Sequence, residues 1–341
     1  MWLPNYHQPN VRQRTYERTK SLIKHAKTIG DTPLRALTPD NLQSLYNAMA
    51  AAGFSGNTIH KVHVMLYSAL QRAVINRYVL QNVATMVEPP KFEKKEIEVF
   101  TTADVSLLLS AAADHRHYPL LPLAFTSGMR LGELLGLRWQ DIIGNEIFVR
   151  QTLQRTVEKG FIAGPPKTNA GKRKIPVPAG TIAALEKHRK WWAESRLAHP
   201  TNDDDPFKDL IFVNKNHSPL SPQKFLTDFW GKLQVMAEFK MNKVEPKPMS
   251  EHKPLKTILE RHRKDKERKE PWQVFPQKNF HSIRHTFATT LLANLPAGKS
   301  IADISKVLGH SKVSTTLDLY SHYMPENKNA LADAISSIFV V

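Results

Sequence analysis

The apolar residues of this 341-residue chain recur at the period of a helix almost throughout, and change to the period of strands in one main stretch, from Gly144 to Pro178. That pattern leaves helices to build the cores and a small antiparallel sheet as the main β element, so the expected fold is mainly α with a small antiparallel β-sheet, an α+β arrangement. Thr38 and Pro39 open one helix, with Leu42, Leu45, Tyr46 and Met49 along one face. After the GFSGN turn a second follows, with Ile59, Val62, Leu66, Ala69, Leu70 and Ala73 in phase. Thr101 or Thr102 starts another, and the pattern restarts as a helix at MRLGELLGLRWQDI (residues 129–142). Within the strand-period stretch EIFVRQT comes first, and NAG then turns between the arms of FIAGPPKTNAGKRKIPVP. The segment TIAALEKHRKWWAESRLA reads as a helix, DLIFVN as a short buried strand, and SPQKFLTDFWGKLQVMAEF as a helix capped by Ser221.

Charge divides the chain. It carries 48 Lys and Arg against 31 Asp and Glu, a net +17, as expected of a protein that neutralises phosphates. Residues 1–92 hold 11 of the basic and 4 of the acidic residues and read as a small helical DNA-binding domain, with Arg12, Arg14, Arg18, Lys20, Lys24 and Lys27 as phosphate contacts. The proline pair and dense charge of residues 93–100 and just before them mark a linker, and residues 101–341 form a second domain. Within it, residues 240–271 have 11 basic and 6 acidic side chains and few apolar ones. They are expected to be a surface insertion, helical around ILERHRKDKERKE and otherwise mobile. The tail places Leu331, Ala334, Ile335, Ile338 and Phe339 on one stripe, to be buried in its own domain or on another subunit. With no cysteine, disulfides, thiolate zinc sites and cysteine nucleophiles are excluded. No apolar run reaches the roughly 18 residues of a membrane span, and no signal segment opens the chain. The expected place is the cytoplasm or the nucleoid, with no membrane partner.

The chemistry gathers in FHSIRHTFATTLL (280–292) and LGHSKVSTTLDLYSH (308–322), which offer His281, Arg284, His285, His310 and Tyr320. A cation, imidazoles and a phenol without a carboxylate cluster suit attack on a phosphate by a protein nucleophile. Together with TSGMRLGELLGLRWQDI and PKTNAGKRKIPVP these blocks resemble, in order, the four signature blocks of the tyrosine recombinases, the phage-integrase family. The resemblance covers about residue 96 to the end, and residues 1–92 resemble that family's core-binding domain.

The resemblance implies Arg130 as the first catalytic arginine, Glu133 as its support, and Lys167 as the acid that protonates the leaving oxygen. It further implies His281 with Arg284, His310 as the second histidine, and Tyr320 as the nucleophile. His285 is read as supporting, and Arg173 and Lys174 as contacts to the DNA backbone. The expected reaction is site-specific recombination through a covalent 3′-phosphotyrosyl link, with no cofactor. Ionising an ordinary phenol at pH 7 costs about 4 kcal/mol, which two guanidiniums and an imidazole around one phosphate could offset. The implied assembly is a C-shaped clamp on double-stranded attachment sites and a homotetramer in synapsis, with accessory DNA-bending or directionality factors as further partners. Many integrases of this kind carry an additional N-terminal arm-binding domain, whereas this sequence starts directly in the core-binding region.

Duller readings compete. His281 and His285 are four apart, as zinc ligands would be, without an evident third ligand. Asp203, Asp204 and Asp205 could suggest a metal-dependent nuclease or transposase but sit among prolines in a loop. LPAGKS (295–300) lacks the first glycine of a phosphate loop. SIADISKVLGHSKVSTTLDLY also reads as a helix-turn-helix, which would suit a non-catalytic regulator.

Overall fold

Thr38 Oγ1 accepts a hydrogen bond from Asn41 N, while Asn41 Oδ1 accepts one from Thr38 N, so the expected cap is a two-way box at the start of α2 (Pro39–Ala51). It is seen in a computed structural model that describes residues 2–91, 96–200, 202, 204–245, 255–264, 270–295 and 300–320. Residues 93–95, Asp203 and the apolar tail stripe lie outside the described residues. The chain forms two units. One is Met1–Glu96 with Thr156–Gly160; the other takes Ile97–Arg155 and the described residues from Phe161 onward.

In the first unit α1 (Gln13–Ile23), α2 and α3 (Gly56–Ile75) surround a core of Leu42, Leu45, Tyr46, Met49, Ile59, Val62, Met65 and Leu70. Met65 takes an inner place that the period had given to Leu66 and Ala69, both only half-buried. Truncating one of the large members to Ala would cost roughly 2–5 kcal/mol. Arg12, Arg14, Arg18, Lys20, Lys24 and Lys27 are all exposed. Within this same unit the carboxylate of Glu17 accepts the N–H groups of Val157 and Glu158, and Lys20 pairs with Glu158 at 3.5 Å.

The second unit is mainly helical around small antiparallel sheets. Thr101 and Asp104 box the start of α4 (Thr102–Ala112), and α5 (Leu120–Ser127) ends at Gly128 with φ +58°. The helix expected over residues 129–142 is much shorter. It runs only as α6 (Leu131–Leu135), because the chain leaves the helix at Gly136 and makes a separate 3-10 turn at Trp139–Asp141.

Strands β1 (Ile142–Ile143), β2 (Glu146–Val149) and β5 (Arg173–Pro176) form one antiparallel sheet in that order, with Ile147 opposite Ile175 and Val149 opposite Arg173. The pair β3 (Thr152–Thr156) and β4 (Gly160–Gly164) forms a second sheet. The two arms around the NAG turn thus belong to different sheets. DLIFVN does not form a ladder either. Leu210 to Val213 are fully buried, but only as isolated bridges from Leu210 to Arg138 and from Val213 to Pro219.

Helix α7 (Ala179–Ala198) packs both tryptophans against the body, with Trp192 Nε1 donating to Leu210 O. The short α8 (Pro222–Lys224), capped by Ser221, passes through a π-helical stretch, Phe225–Trp230, into α9 (Gly231–Met241). Helix α10 (Leu255–Lys264) begins within the basic insertion and is docked on α9. Leu259 is buried, the His262 ring stacks on Trp272, and Arg263 makes two bonds of 2.6 and 2.7 Å to the fully buried Glu238. Trp272 Nε1 donates to the same carboxylate. The insertion is therefore anchored where its helix is described; residues 246–254 and 265–269 lie outside the described part. Helices α11 (Ser282–Ala293), α12 (Ile301–Leu308) and α13 (Val313–Tyr320) share a core of Ala288, Leu292, Ile304, Leu308 and Tyr320. No described helix is long and apolar enough to cross a membrane.

Candidate active site

Gly309 ends α12 in the left-handed region at φ +68°, and that turn points two successive carbonyls at arginines. Arg284, on the first turn of α11, is buried and donates Nη2 to Leu308 O and Nη1 to Gly128 O, the carbonyl at the end of α5. Arg130, immediately before α6, donates Nη2 to Gly309 O at 3.4 Å and Nη1 to Glu133 Oε1 at 3.0 Å. A guanidinium has five N–H donors, so each arginine is aimed by carbonyls and keeps donors for an anion. His310 follows in the same turn, and its Nδ1 lies 2.8 Å from Thr316 Oγ1 on α13.

Glu133 binds both Arg130 and Arg173. The Arg173 guanidinium is nearly buried and reaches Glu133 at 2.9 and 3.3 Å, and its Nε donates to Val307 O. Burial alone would raise the Glu133 carboxyl; the bonds and charge of Arg173, then of Arg130, outweigh it and hold the group below the usual carboxylate range. Arg173 was expected on the DNA backbone but is spent inside the protein. It shares a strand face with buried Ile175, two residues on. Lys174, on the other face, is exposed and lies 3.3 Å from Glu146.

Tyr320 ends α13 with its ring buried and its hydroxyl 2.6 Å from His285 Nδ1. Desolvation pushes the phenol up to about 12, against the opposing pull of Arg284 and Arg130. The same desolvation, with Arg284 nearby, lowers His285, which is therefore neutral at pH 7. Desolvation, then the charges of His285, Arg284, Arg130 and His310, lower His281 to about 4; the residue is exposed overall, so solvent offsets part of this. Desolvation followed by Arg284, Arg130 and Arg173 lowers His310 to about 4 as well. Arg284 falls to about 9, by burial and by the neighbouring Arg130 and Arg173, and stays cationic at pH 7.

These contacts and charges bring Arg130, Glu133, His281, Arg284, His285, His310 and Tyr320 together. Lys167 is not tied to them: it is exposed in the connection after β4 and makes no hydrogen bond or ion pair among the described residues. Two partners of the site carried little signal in the sequence: Arg173, legible only from its parity with Ile175, and Thr316, which had none. Among the described residues no three His, Asp or Glu side chains are grouped as a metal site, and His285 Nδ1 is engaged by the Tyr320 phenol. Asp205 accepts Phe207 N within a turn.

The model of the phage integrase family matches residues 93–327, and that of the phage integrase N-terminal SAM-like domain matches residues 1–50. The chain belongs to the phage integrase family of tyrosine recombinases. It is a site-specific DNA recombinase. A tyrosine recombinase XerC-like protein of Caldanaerobacter subterraneus subsp. tengcongensis is 28% identical, over 94% of this chain and 76% of that protein. The transposase from transposon Tn916 of Enterococcus faecalis is 24% identical, over 93% of this chain and 72% of that one. The recombinase also shares its fold with the Tn1549 transposon integrase in complex with a circular intermediate DNA. That match has a TM-score of 0.71 at 22% identity and covers 96% of both chains. A lambda integrase dimer bound to a core site gives a TM-score of 0.58 at 16% identity, over 94% of this chain and 75% of that one.

Proposed function

We propose that this recombinase cuts and reseals DNA by in-line attack of Tyr320 on a phosphodiester held by Arg130, Arg284, His281 and His310. The observation that carries the assignment is the turn Leu308–His310, which accepts from both arginines and presents His310, while the Tyr320 phenol lies in the field of the same two cations. Attack forms a 3′-phosphotyrosyl link and releases a 5′-hydroxyl, with Lys167 as the proton donor. Lys167, exposed and without a partner among the described residues, has the open reach this role needs. The link retains the phosphodiester's energy, so a 5′-hydroxyl of another strand reseals it. Glu133 and Arg173 position Arg130; Arg12, Arg14, Arg18, Lys20, Lys24 and Lys174 contact the DNA backbone.

Residues 1–92 serve as the core-binding domain and residues 101–341 as the catalytic domain. The substrate is a pair of attachment sites of a mobile element, a reading supported by the similarity to transposon proteins. Synapsis uses a homotetramer, as in the lambda integrase tetramer bound to a Holliday junction, with accessory DNA-bending or directionality factors and action on the nucleoid. The test is covalent trapping on nicked DNA carrying candidate attachment sites. Tyr320→Phe is expected to give no adduct and near-normal DNA binding; an adduct persisting in that variant rejects the assignment.

A further inference from the structure

Attack by Tyr320 needs an acceptor for the phenol proton; of the residues assigned so far, the two arginines supply charge, Lys167 is the donor for the leaving group, and His281 and His310 hold the phosphodiester. That hydroxyl is hydrogen-bonded to an imidazole: His285 Nδ1 lies 2.6 Å from Tyr320 Oη, with ring centroids 5.6 Å apart. The contact joins α11 to the last turn of α13. Its geometry is that of proton transfer, within the 2.6–3.2 Å required of a general base.

We infer that His285 is a catalytic residue that takes the Tyr320 proton as the phenol attacks, an inference that rests on the assignment of Tyr320 as nucleophile. The balance is complete. The Tyr320 Oη–phosphorus bond forms, the phosphorus–O5′ bond breaks, the phenol proton passes to His285 Nδ1, and Lys167 protonates O5′. Resealing runs the same transfers backwards, with Lys167 accepting from the incoming 5′-hydroxyl and His285 returning the proton to the tyrosine.

The groups around His285 favour this division of labour. His281 meets it edge-on along α11 at 4.7 Å, Arg284 precedes it on the same helix, and Tyr320 faces it from α13. His310, in the turn before α13, is near enough to feel its charge. Burial, and after it the charge of Arg284, keeps the imidazole neutral and ready to accept, while burial keeps the phenol protonated until a phosphate arrives. A phosphate anion between the two arginines would then ease formation of the imidazolium.

The test measures single-turnover cleavage of nicked suicide DNA by the full chain, with binding followed separately. His285→Asn keeps a polar group near the Nδ1 position but cannot take a proton at neutral pH, and His285→Ala removes both features. Both variants are expected to bind DNA normally and to cleave about 100-fold more slowly or worse. The wild-type rate is expected to fall on the acid side with a midpoint below 6.5, a limb that the Asn variant loses. If His285→Asn cleaves at the wild-type rate with the same acid limb, His285 is not the acceptor, and the nucleophile assignment is untouched. If Tyr320→Phe still forms the adduct, both fall.

Discussion

At the scale of single residues, the site depends on one buried carboxylate. Glu133 sits between Arg130 and Arg173, and its partners differ in setting: the Arg173 side chain is 6% exposed and that of Arg130 is 41% exposed. Water screens the Arg130 pair, so the stabilising part is the bond to Arg173. Glu133→Gln would leave a buried guanidinium without its counter-charge, and is expected to cost roughly 3 kcal/mol in urea unfolding at pH 7. The pH dependence has a definite sign. Since the folded carboxyl lies below its ordinary value of 4.5, its contribution is full above that value and is lost as pH falls through the depressed one. The stability gap between wild type and Glu133→Gln should therefore be constant from pH 7 to about 5 and close in more acid solution; a gap that widens there would mean the ion pair does not act as described. The sequence showed Glu133 one turn after Arg130, but not its second partner. Arg173 comes from a strand forty residues away, and only the fold brings it to Glu133.

At the scale of elements, the left-handed glycines that end α5 and α12 do more than stop helices. The stop at Gly309 is legible in the sequence as LGH after an apolar stripe. That its turn would hold both arginines is not, because hydrogen bonds to backbone carbonyls leave no mark on residue types. A Cβ on Gly309 would lie 2.9 Å from Arg173 Nη1 and 3.0 Å from Ala170 O, in a backbone region unfavourable to other residues. Gly309→Ala is expected to lower stability by about 1–2 kcal/mol and to slow cleavage more than it weakens binding, since the displaced carbonyls aim Arg130 and Arg284. Equal losses of binding and cleavage would show that the turn acts only through folding. Elements set by local chemistry, such as the boxed caps of α2 and α4, followed the sequence closely. Those set by tertiary pairing did not: α6 stopped early at Gly136, and the arms around NAG went to separate sheets.

At the scale of the whole molecule, the excess of basic residues combines two uses of charge that composition cannot separate. Some cations are fixed inside the fold, as Arg173 and Arg284 are, and others face solvent. The insertion contains a cation of the fixed kind. Arg263 is held on Glu238, and in the sequence Lys266, Arg268 and Lys269 follow in an uninterrupted charged run, outside the described residues. Deleting residues 240–271 would mix the effects, because it would uncover Phe239 and strand the buried Glu238. Two narrower changes separate them. Arg263→Ala is expected to destabilise the packing of α10 on α9, seen as faster amide exchange in α10, with the salt dependence of non-specific DNA binding almost unchanged. Replacing Lys266, Arg268 and Lys269 with Gln is expected to do the reverse, lowering the slope of log affinity against log salt by roughly 1 for each cation that meets a phosphate while amide exchange in α10 stays as it was. A slope unchanged by the triple replacement would assign the run no part in holding DNA, and would leave the insertion as a structural brace on α9.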